Sequence, residues 1–298
     1  MLFRLNNYKG QDLIEESKAF TLQNGQTLGY RVCKGEKTPI VLVHGAGSSM
    51  KVWDPVISKL TEKNRYFLTV DLPGHGASCT KNGKYRPEEA VNAIQELLEY
   101  ENITKTHLVG HSLGGALVVG LAEKTPDNIT SVTLVAAGGL GREVAIPLRA
   151  ATLPGSDKVL SLAFSKPVIN TLTETVAALE RKGFTTGTLQ EDIESLNWLS
   201  DESRRRAFLS TLCHVVGPIG QRMSILERLQ QHDSKKYLVI WGTRDTMLPA
   251  KHAIAARKVL PKAKLKLFVG AGHEPHTYDP TLFTETLLEH VEQLEEKC

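Results

Sequence analysis

Residues Thr106–Gly120 read THLVGHSLGGALVVG: an apolar run halts at His111-Ser112, the serine stands between Gly110 and Gly114, and an apolar run resumes. The first run lacks the polar alternation of a half-buried strand and suits one covered on both faces, and the second suits a buried helix. Many small polar residues would serve an ordinary strand-to-helix connection, so glycine on both sides signals a steric demand. G-x-S-x-G at such a junction predicts a strained turn that lifts the Ser112 hydroxyl clear of the sheet, with strand and helix too close for a side chain at 110 or 114. Taken alone, the motif also fits a plain connecting turn or a phosphate cradle at a helix N-terminus. Its partners elsewhere in the chain decide.

Working outward, "KAFTLQ", Asn24-Gly25 and "TLGYRVC" form a predicted β-hairpin, the Asn-Gly pair supplying the positive φ of a tight turn. After Pro39, "PIVLVHG", "RYFLTVDLPG", "THLVGHS" and "ITSVTLVAAGG" are short apolar runs typical of buried parallel strands. Helical patterns separate them, among them "PEEAVNAIQELLEY", which opens on proline and two acids. Alternating strand and helix predict an α/β, doubly wound, mostly parallel sheet. From about Leu140 to His232 only helical patterns occur, and the strand rhythm then resumes with "KKYLVIWG" and "AKLKLFVG". The expected organisation is a core of residues 1–139 and 233–298 carrying an all-helical insertion, residues 140–232.

Composition narrows the function. The 298 residues carry 41% hydrophobic and 23% charged side chains, the profile of a soluble globular protein. The net charge of +3 is the balance of 36 basic and 33 acidic residues spread along the chain, which argues against nucleic acid as a partner. Arg204-Arg205-Arg206 follows Ser200-Asp201-Glu202 and reads as the capped, solvated start of a helix. Cys33, Cys79, Cys213 and Cys298 are scattered without a C-x-x-C pair, as in a reducing compartment, and no metal-ligand spacing occurs. The N-terminal residues lack the apolar core of a signal peptide and no run approaches the ~20 apolar residues of a membrane span. A cytoplasmic location without a membrane span is expected.

A serine hydroxyl needs a base to become a nucleophile, and the base needs an acid to hold its tautomer. In doubly wound sheets such groups gather outside the carboxyl ends of the strands. His273 follows the last expected strand through Gly270-Ala271-Gly272, at the same edge as Ser112, while His276 stands three residues further along the loop. Asp245 ends "YLVIWGTRD", with a competing role as cap of the helix that follows. His44 and His111 belong to the turns beside the serine and are expected to shape them. For the negative charge that develops on a substrate oxygen, backbone N–H groups are expected from Leu113, at a helix N-terminus, and from Ala46 in His44-Gly45-Ala46-Gly47. That glycine-rich loop lacks the third glycine of a dinucleotide fingerprint.

Together, "HGAG", "DLPGHGAS", "GHSLGG", "WGTRDTMLP" and "GAGHEPH" occur in the order and at the spacing of the α/β-hydrolase superfamily, and the chain resembles its cap-bearing, serine esterase-type members over nearly its whole length. The resemblance implies an eight-stranded sheet, a helical cap over the site, a catalytic Ser112–His273–Asp245 triad, an oxyanion hole at Ala46 and Leu113, and no cofactor. It implies a small-molecule acyl substrate, a carboxylic ester or thioester with a hydrophobic portion; Leu153, Phe164, Trp198 and Phe208 are candidates for the cap's contribution to the pocket. "GGLGREVAIPLRAATLPG" is also similar to hydrolases named after the acyltransferase component of acetoin dehydrogenase, although this chain has no lipoyl-bearing segment. Three alternatives remain on the same scaffold. A carbon–carbon bond hydrolase would recruit cations such as Arg142, Arg149 or Arg222 for a dienoate. A prolyl-type aminopeptidase would need carboxylates such as Glu174 or Glu191. A small-molecule receptor would bind its ligand with a triad that turns over slowly or only once.

Overall fold

The computed structural model describes residues 17–78, 85–181 and 197–296. Eight strands form one sheet: β1 (Lys18–Thr21), β2 (Thr27–Cys33), β3 (Glu36–Val43), β4 (Arg65–Val70), β5 (Thr106–His111), β6 (Ile129–Val135), β9 (Tyr237–Gly242) and β10 (Lys264–Phe268). Their order across the sheet is β1-β2-β4-β3-β5-β6-β9-β10. The first two pairings are antiparallel and the rest are parallel. The hairpin turns at Asn24-Gly25, where Gly25 has φ +81° and Asn24 Oδ1 accepts from Gln26 N at 2.9 Å. β3 starts three residues before Pro39, because Glu36 pairs with Arg65 of β4 before the register shifts at Ile40.

Helices cover both faces, which is why the central strands are apolar throughout. Every residue of β5 and β9 is buried. On one face α1 (Asp54–Glu62) and the C-terminal helix Pro280–Glu295 pack Val56, Ile57, Phe283 and Leu287 on Ile40, Leu42 and Ile240. On the other, α2 (Pro87–Tyr100) and α3 (Leu113–Lys124) bury Ile94, Leu97, Leu117 and Val118 against Val41, Leu108 and Leu134. Parallel register places Val43 of β3 beside Gly110 of β5, His111 beside Val135 of β6, and Val135 beside Ile240 of β9. The chain therefore leaves these strands at one common rim.

Between β6 and β9 the described residues depart from the sheet into α4 (Ile146–Ala150), α5 (Ser156–Ala163), α6 (Lys166–Arg181) and α7 (Glu202–Val215). This segment is not wholly helical as expected. Val216–Gly217 (β7) pairs antiparallel with Gly220–Gln221 (β8), because Pro218 denies the chain a further helical N–H and Gly220, at φ +134°, closes the turn. A second correction concerns the arginine run. Asp201 caps α7 by accepting from Arg204 N at 2.9 Å, but Arg205 is not solvated. It is buried, pairs through Nε with Asp157 at 2.8 Å and donates to the Leu199 carbonyl, tying α5 and α7 together. Among the described residues no helix is long and apolar enough to cross a membrane.

Candidate active site

Ser112 sits between β5 and α3 with φ +52° and ψ −118°, a region a non-glycine residue occupies only under constraint. Three hydrogen bonds hold it there: Ser112 N donates to the Val135 carbonyl at 2.9 Å, and the Ser112 carbonyl accepts from Gly115 N at 3.0 Å and Gly138 N at 2.8 Å. The flanking glycines answer a real collision. A Cβ at Gly110 would lie 2.3 Å from the Gly114 carbonyl oxygen, and one at Gly114 would lie 2.4 Å from that of Val43.

Asp245 and His273 meet because β9 and the loop after β10 approach as closely as backbones allow. A Cβ at Gly242 would fall 2.0 Å from the Gly272 carbonyl oxygen, and Arg244 N donates to the Ala271 carbonyl at 2.9 Å. His273 Nδ1 then lies 2.8 Å from Asp245 Oδ2. A carboxylate oxygen only accepts, so Nδ1 carries a proton and, in the neutral ring, Nε2 keeps its lone pair. The other oxygen, Oδ1, accepts from Met247 N at 2.8 Å and Leu248 N at 2.9 Å. Asp245 thus pins the following turn and orients the imidazole at once, but it does not take the expected role of helix cap: the next helix, Lys251–Val259, starts after Ala250 without a side-chain cap.

Ser112 and His273 line one cavity of about 60 Å³ together with Ala46 and Leu113. Leu113 is the first residue of α3, where its N–H has no intrahelical acceptor. Ala46 lies on the loop after β3, drawn so near the elbow that a Cβ at Gly45 would sit 2.9 Å from Ser112 Cβ. His44 stitches this loop to the end of β4: its Nδ1 lies 2.7 Å from the Gly45 carbonyl and its Nε2 accepts from Leu72 N at 2.9 Å. Burial pushes the His44 imidazole down to about 4, so it stays neutral.

The rest of the wall is mostly apolar, with Val144, Leu148, Phe208, Leu212, Met223 and Leu248. Of the four aromatic and aliphatic candidates, Phe208 lines this cavity and Trp198 a larger neighbouring one. Phe164 packs against the core, while Leu153 is 48% exposed and faces solvent. The candidate arginines do not enter: Arg142 is exposed, Arg149 donates to the Pro218 carbonyl and Arg222 to that of Cys213. Glu174 is exposed and Glu191 lies outside the described residues.

Several further residues shape the site around these. His111 Nε2 lies 3.0 Å from the His273 carbonyl, while burial, then His276 and His273, hold its imidazole well below the ordinary value. His276 is buried between Trp53, at 4.4 Å between ring centroids, and His111, at 4.7 Å. Burial pushes the Glu274 carboxyl up to about 7. Gln221 of β8 anchors the roof: Oε1 accepts from Gly139 N and Nε2 donates to the Gly141 carbonyl, each at 2.7 Å. Asp71, in "DLPGHGAS", accepts from Met50 N at 2.6 Å and Ala77 N at 2.7 Å, joining the loops after β3 and β4. Among the described residues no group of three or more His, Cys, Asp or Glu side chains could hold a metal ion.

A mostly parallel sheet with a strained serine at a strand-to-helix turn, and a carboxylate-held imidazole on the wall of the same cavity, fits the α/β-hydrolase class of protein. Residues 38–280 match the family of the alpha/beta hydrolase fold, and the chain belongs to that family. It is 30% identical over 279 residues to an uncharacterized protein of Mycobacterium tuberculosis, covering 92% of this chain and 81% of that one. It is also 31% identical over 241 residues to the dihydrolipoyllysine-residue acetyltransferase component of the acetoin cleaving system of Pseudomonas putida, covering 79% of this chain but 58% of that protein. Among solved structures, an esterase from Rhodococcus sp. ECU1013 superposes with a TM-score of 0.66 at 24% identity, covering 94% and 99% of the two chains, a likeness of fold.

Proposed function

We propose that the protein is a serine hydrolase of carboxylic esters or thioesters whose acyl part is short and apolar. The observation that carries this reading is the 2.8 Å contact between Asp245 Oδ2 and His273 Nδ1, with His273 and the strained Ser112 on the wall of one cavity. In this scheme Ser112 Oγ attacks the acyl carbon and its proton passes to His273 Nε2, while Asp245 stabilises the imidazolium. The N–H groups of Ala46 and Leu113 hold the tetrahedral oxyanion, helped by the α3 dipole. Collapse breaks the bond to the alcohol or thiol, which leaves with the proton from His273. Water then adds to the acyl-enzyme with His273 again as base, releasing the acid and restoring Ser112.

Residues 140–232 act as a cap in this reading, Phe208, Leu212 and Met223 closing over the acyl group. The volume of about 60 Å³ favours a small acyl group, since drug-sized ligands occupy roughly 300–1,000 Å³. A dienoate substrate is less well matched, because no arginine or lysine is among the described residues lining this cavity. A fluorophosphonate should label Ser112 in the folded protein, and Ser112→Ala should abolish both labelling and the hydrolysis of p-nitrophenyl acetate. Absence of labelling would return the chain to the class of binding proteins, and turnover by Ser112→Ala would refute the nucleophile.

A further inference from the structure

A second cavity of about 380 Å³ adjoins the first, and little protein keeps the two apart. Phe208 lines the first and Trp198 the second, while Ser48 lines both. The two rings meet edge to face with centroids 5.3 Å apart. Both close onto Gly47, where a Cβ would come within 3.0 Å of Trp198 and 3.1 Å of Phe208. Any side chain at 47 would hold the rings off the loop, so the glycine there, at φ +74°, is what lets them seal against it.

The rings stand on a clamped frame. Phe208 belongs to α7 and Trp198 to the turn Asn197–Ser200. Arg205 fastens the two segments, donating through Nη1 to the Leu199 carbonyl at 2.8 Å while its Nε pairs with Asp157 of α5 at 2.8 Å. Elsewhere the wall of the first cavity is backed by packed side chains, since Val144, Leu212, Val215 and Leu248 are buried in the main core. A chain growing from the acyl carbon meets filled space there and open space only behind the two rings. The second cavity can take hydrocarbon: Met50 and Val52 stand on its wall with Trp198, and the Asp71 carboxylate beside them already accepts from Met50 N and Ala77 N.

We infer that Phe208 and Trp198 are the specificity-determining pair for acyl-chain length: they end the acyl pocket at Gly47 and shut long chains out of a space that would otherwise hold them. The inference rests on the ester-hydrolase reading for the position of the acyl group. The space of about 60 Å³ on the near side of the rings suits a short chain, whereas about 380 Å³ on the far side lies in the roughly 300–1,000 Å³ range of ordinary ligand sites. Opening the partition should therefore change which acids are released without altering the residues that do the chemistry.

The readout is kcat/KM for p-nitrophenyl decanoate divided by that for p-nitrophenyl butyrate, measured on the full-length protein. The leaving group is common to both esters, so the ratio reports the acyl end, and a general loss of folded protein cancels within each variant. The unsubstituted protein should favour butyrate by about tenfold or more. Phe208→Ala should raise the ratio about tenfold or more, since each methylene moved from water into an apolar site is worth up to about fourfold. Adding Ser49→Leu, which fills the second cavity from a partly exposed position on its wall, should take most of that gain away. Leu148→Ala, which enlarges the first cavity alone, should move the ratio by less than about threefold. If Phe208→Ala does not fold, Phe208→Val should raise the ratio about threefold or more. An unchanged ratio in the folded Phe208 variant, a gain that survives Ser49→Leu, or equal turnover of both esters before any substitution would overturn the partition. If Ser112 resists fluorophosphonate and neither ester is cleaved, the hydrolase reading fails by itself; calorimetric affinities for decanoate and butyrate then supply the ratio, and the same shifts decide the partition.

Discussion

His111 and His273 are joined through a side chain and a main chain: the His111 Nε2–H donates to the His273 carbonyl at 3.0 Å across 162 residues of sequence. The residue before the serine thereby ties down the loop that carries His273, the base in the proposed scheme. His111→Phe would keep the buried ring and leave the carbonyl without its donor. We expect a stability loss of no more than about 1–3 kcal/mol, the cost of one unsatisfied acceptor, offset by removal of the buried, unpartnered His111 Nδ1. We also expect kcat on a small ester to fall about tenfold with KM little changed, because only the placement of the base is disturbed. Urea denaturation and steady-state kinetics on the same preparation check this, and an equal rise in KM would point to general loosening instead.

Asp245→Asn separates the two jobs of that side chain. Its Oδ1 contacts to Met247 N and Leu248 N can persist, so stability should change by less than about 1 kcal/mol if the amide keeps its oxygen toward the turn. The amide nitrogen then faces His273 Nδ1 and favours the wrong tautomer, and kcat should fall about 10⁴-fold. A decrease below about tenfold would remove Asp245 from the triad.

Gly114→Ala tests the elbow. The new methyl would meet the carbonyl oxygens of Val43 at 2.4 Å and His44 at 2.6 Å, both main-chain atoms that cannot swing away. A cost of about 3 kcal/mol or more is expected, at the upper end of overpacking. The urea midpoint reports it; an alanine variant of native stability would mean that strand and helix are further apart than described.

Acid should destabilise the fold. Burial lowers the imidazoles of His44, His75, His107 and His290 to about 4 and that of His276 to about 3, from an ordinary 6.5. Between those values the unfolded chain binds the extra protons, so their contribution is complete above pH 6.5 and is lost as pH falls toward 4. Glu274 runs the other way: its carboxyl, raised from 4.5 to about 7, contributes most below pH 4.5 and loses that contribution as pH rises to 7. The depressed imidazoles, His111 among them, outnumber the raised carboxyls of Glu274, Asp54 and Asp71, so the urea midpoint should drop between pH 7 and pH 5. A flat profile would refute the neutral buried imidazoles.

His276→Phe should flatten that acid limb. Both ring nitrogens of His276 are buried without a partner among the described residues, and its neighbours Trp53, His111 and Phe283 are rings. Phenylalanine preserves the stacking and removes one group that must charge on unfolding. Proton uptake on unfolding at pH 5, from the slope of stability against pH, should fall by about one.

Much of this protein could be read along the chain. Apolar runs without alternation announced strands covered on both faces, and the glycines at 110 and 114 announced the crowding that a Cβ confirms. Spacing also put Asp245 and His273 after successive parallel strands, and strands in parallel register must end on the same rim. These features are local, or follow from topology, and short-range sterics suffice to impose them. Arg205 shows where such reading stops: a helix-start arginine looks solvated until Asp157 and the Leu199 carbonyl close around it. The same is true of the double duty of Asp245, the unpartnered rings of His276, the raised carboxyl of Glu274 and the cavity beside it. Burial and partner choice depend on segments tens to hundreds of residues apart, and a side chain's pattern in sequence holds no record of what will pack against it.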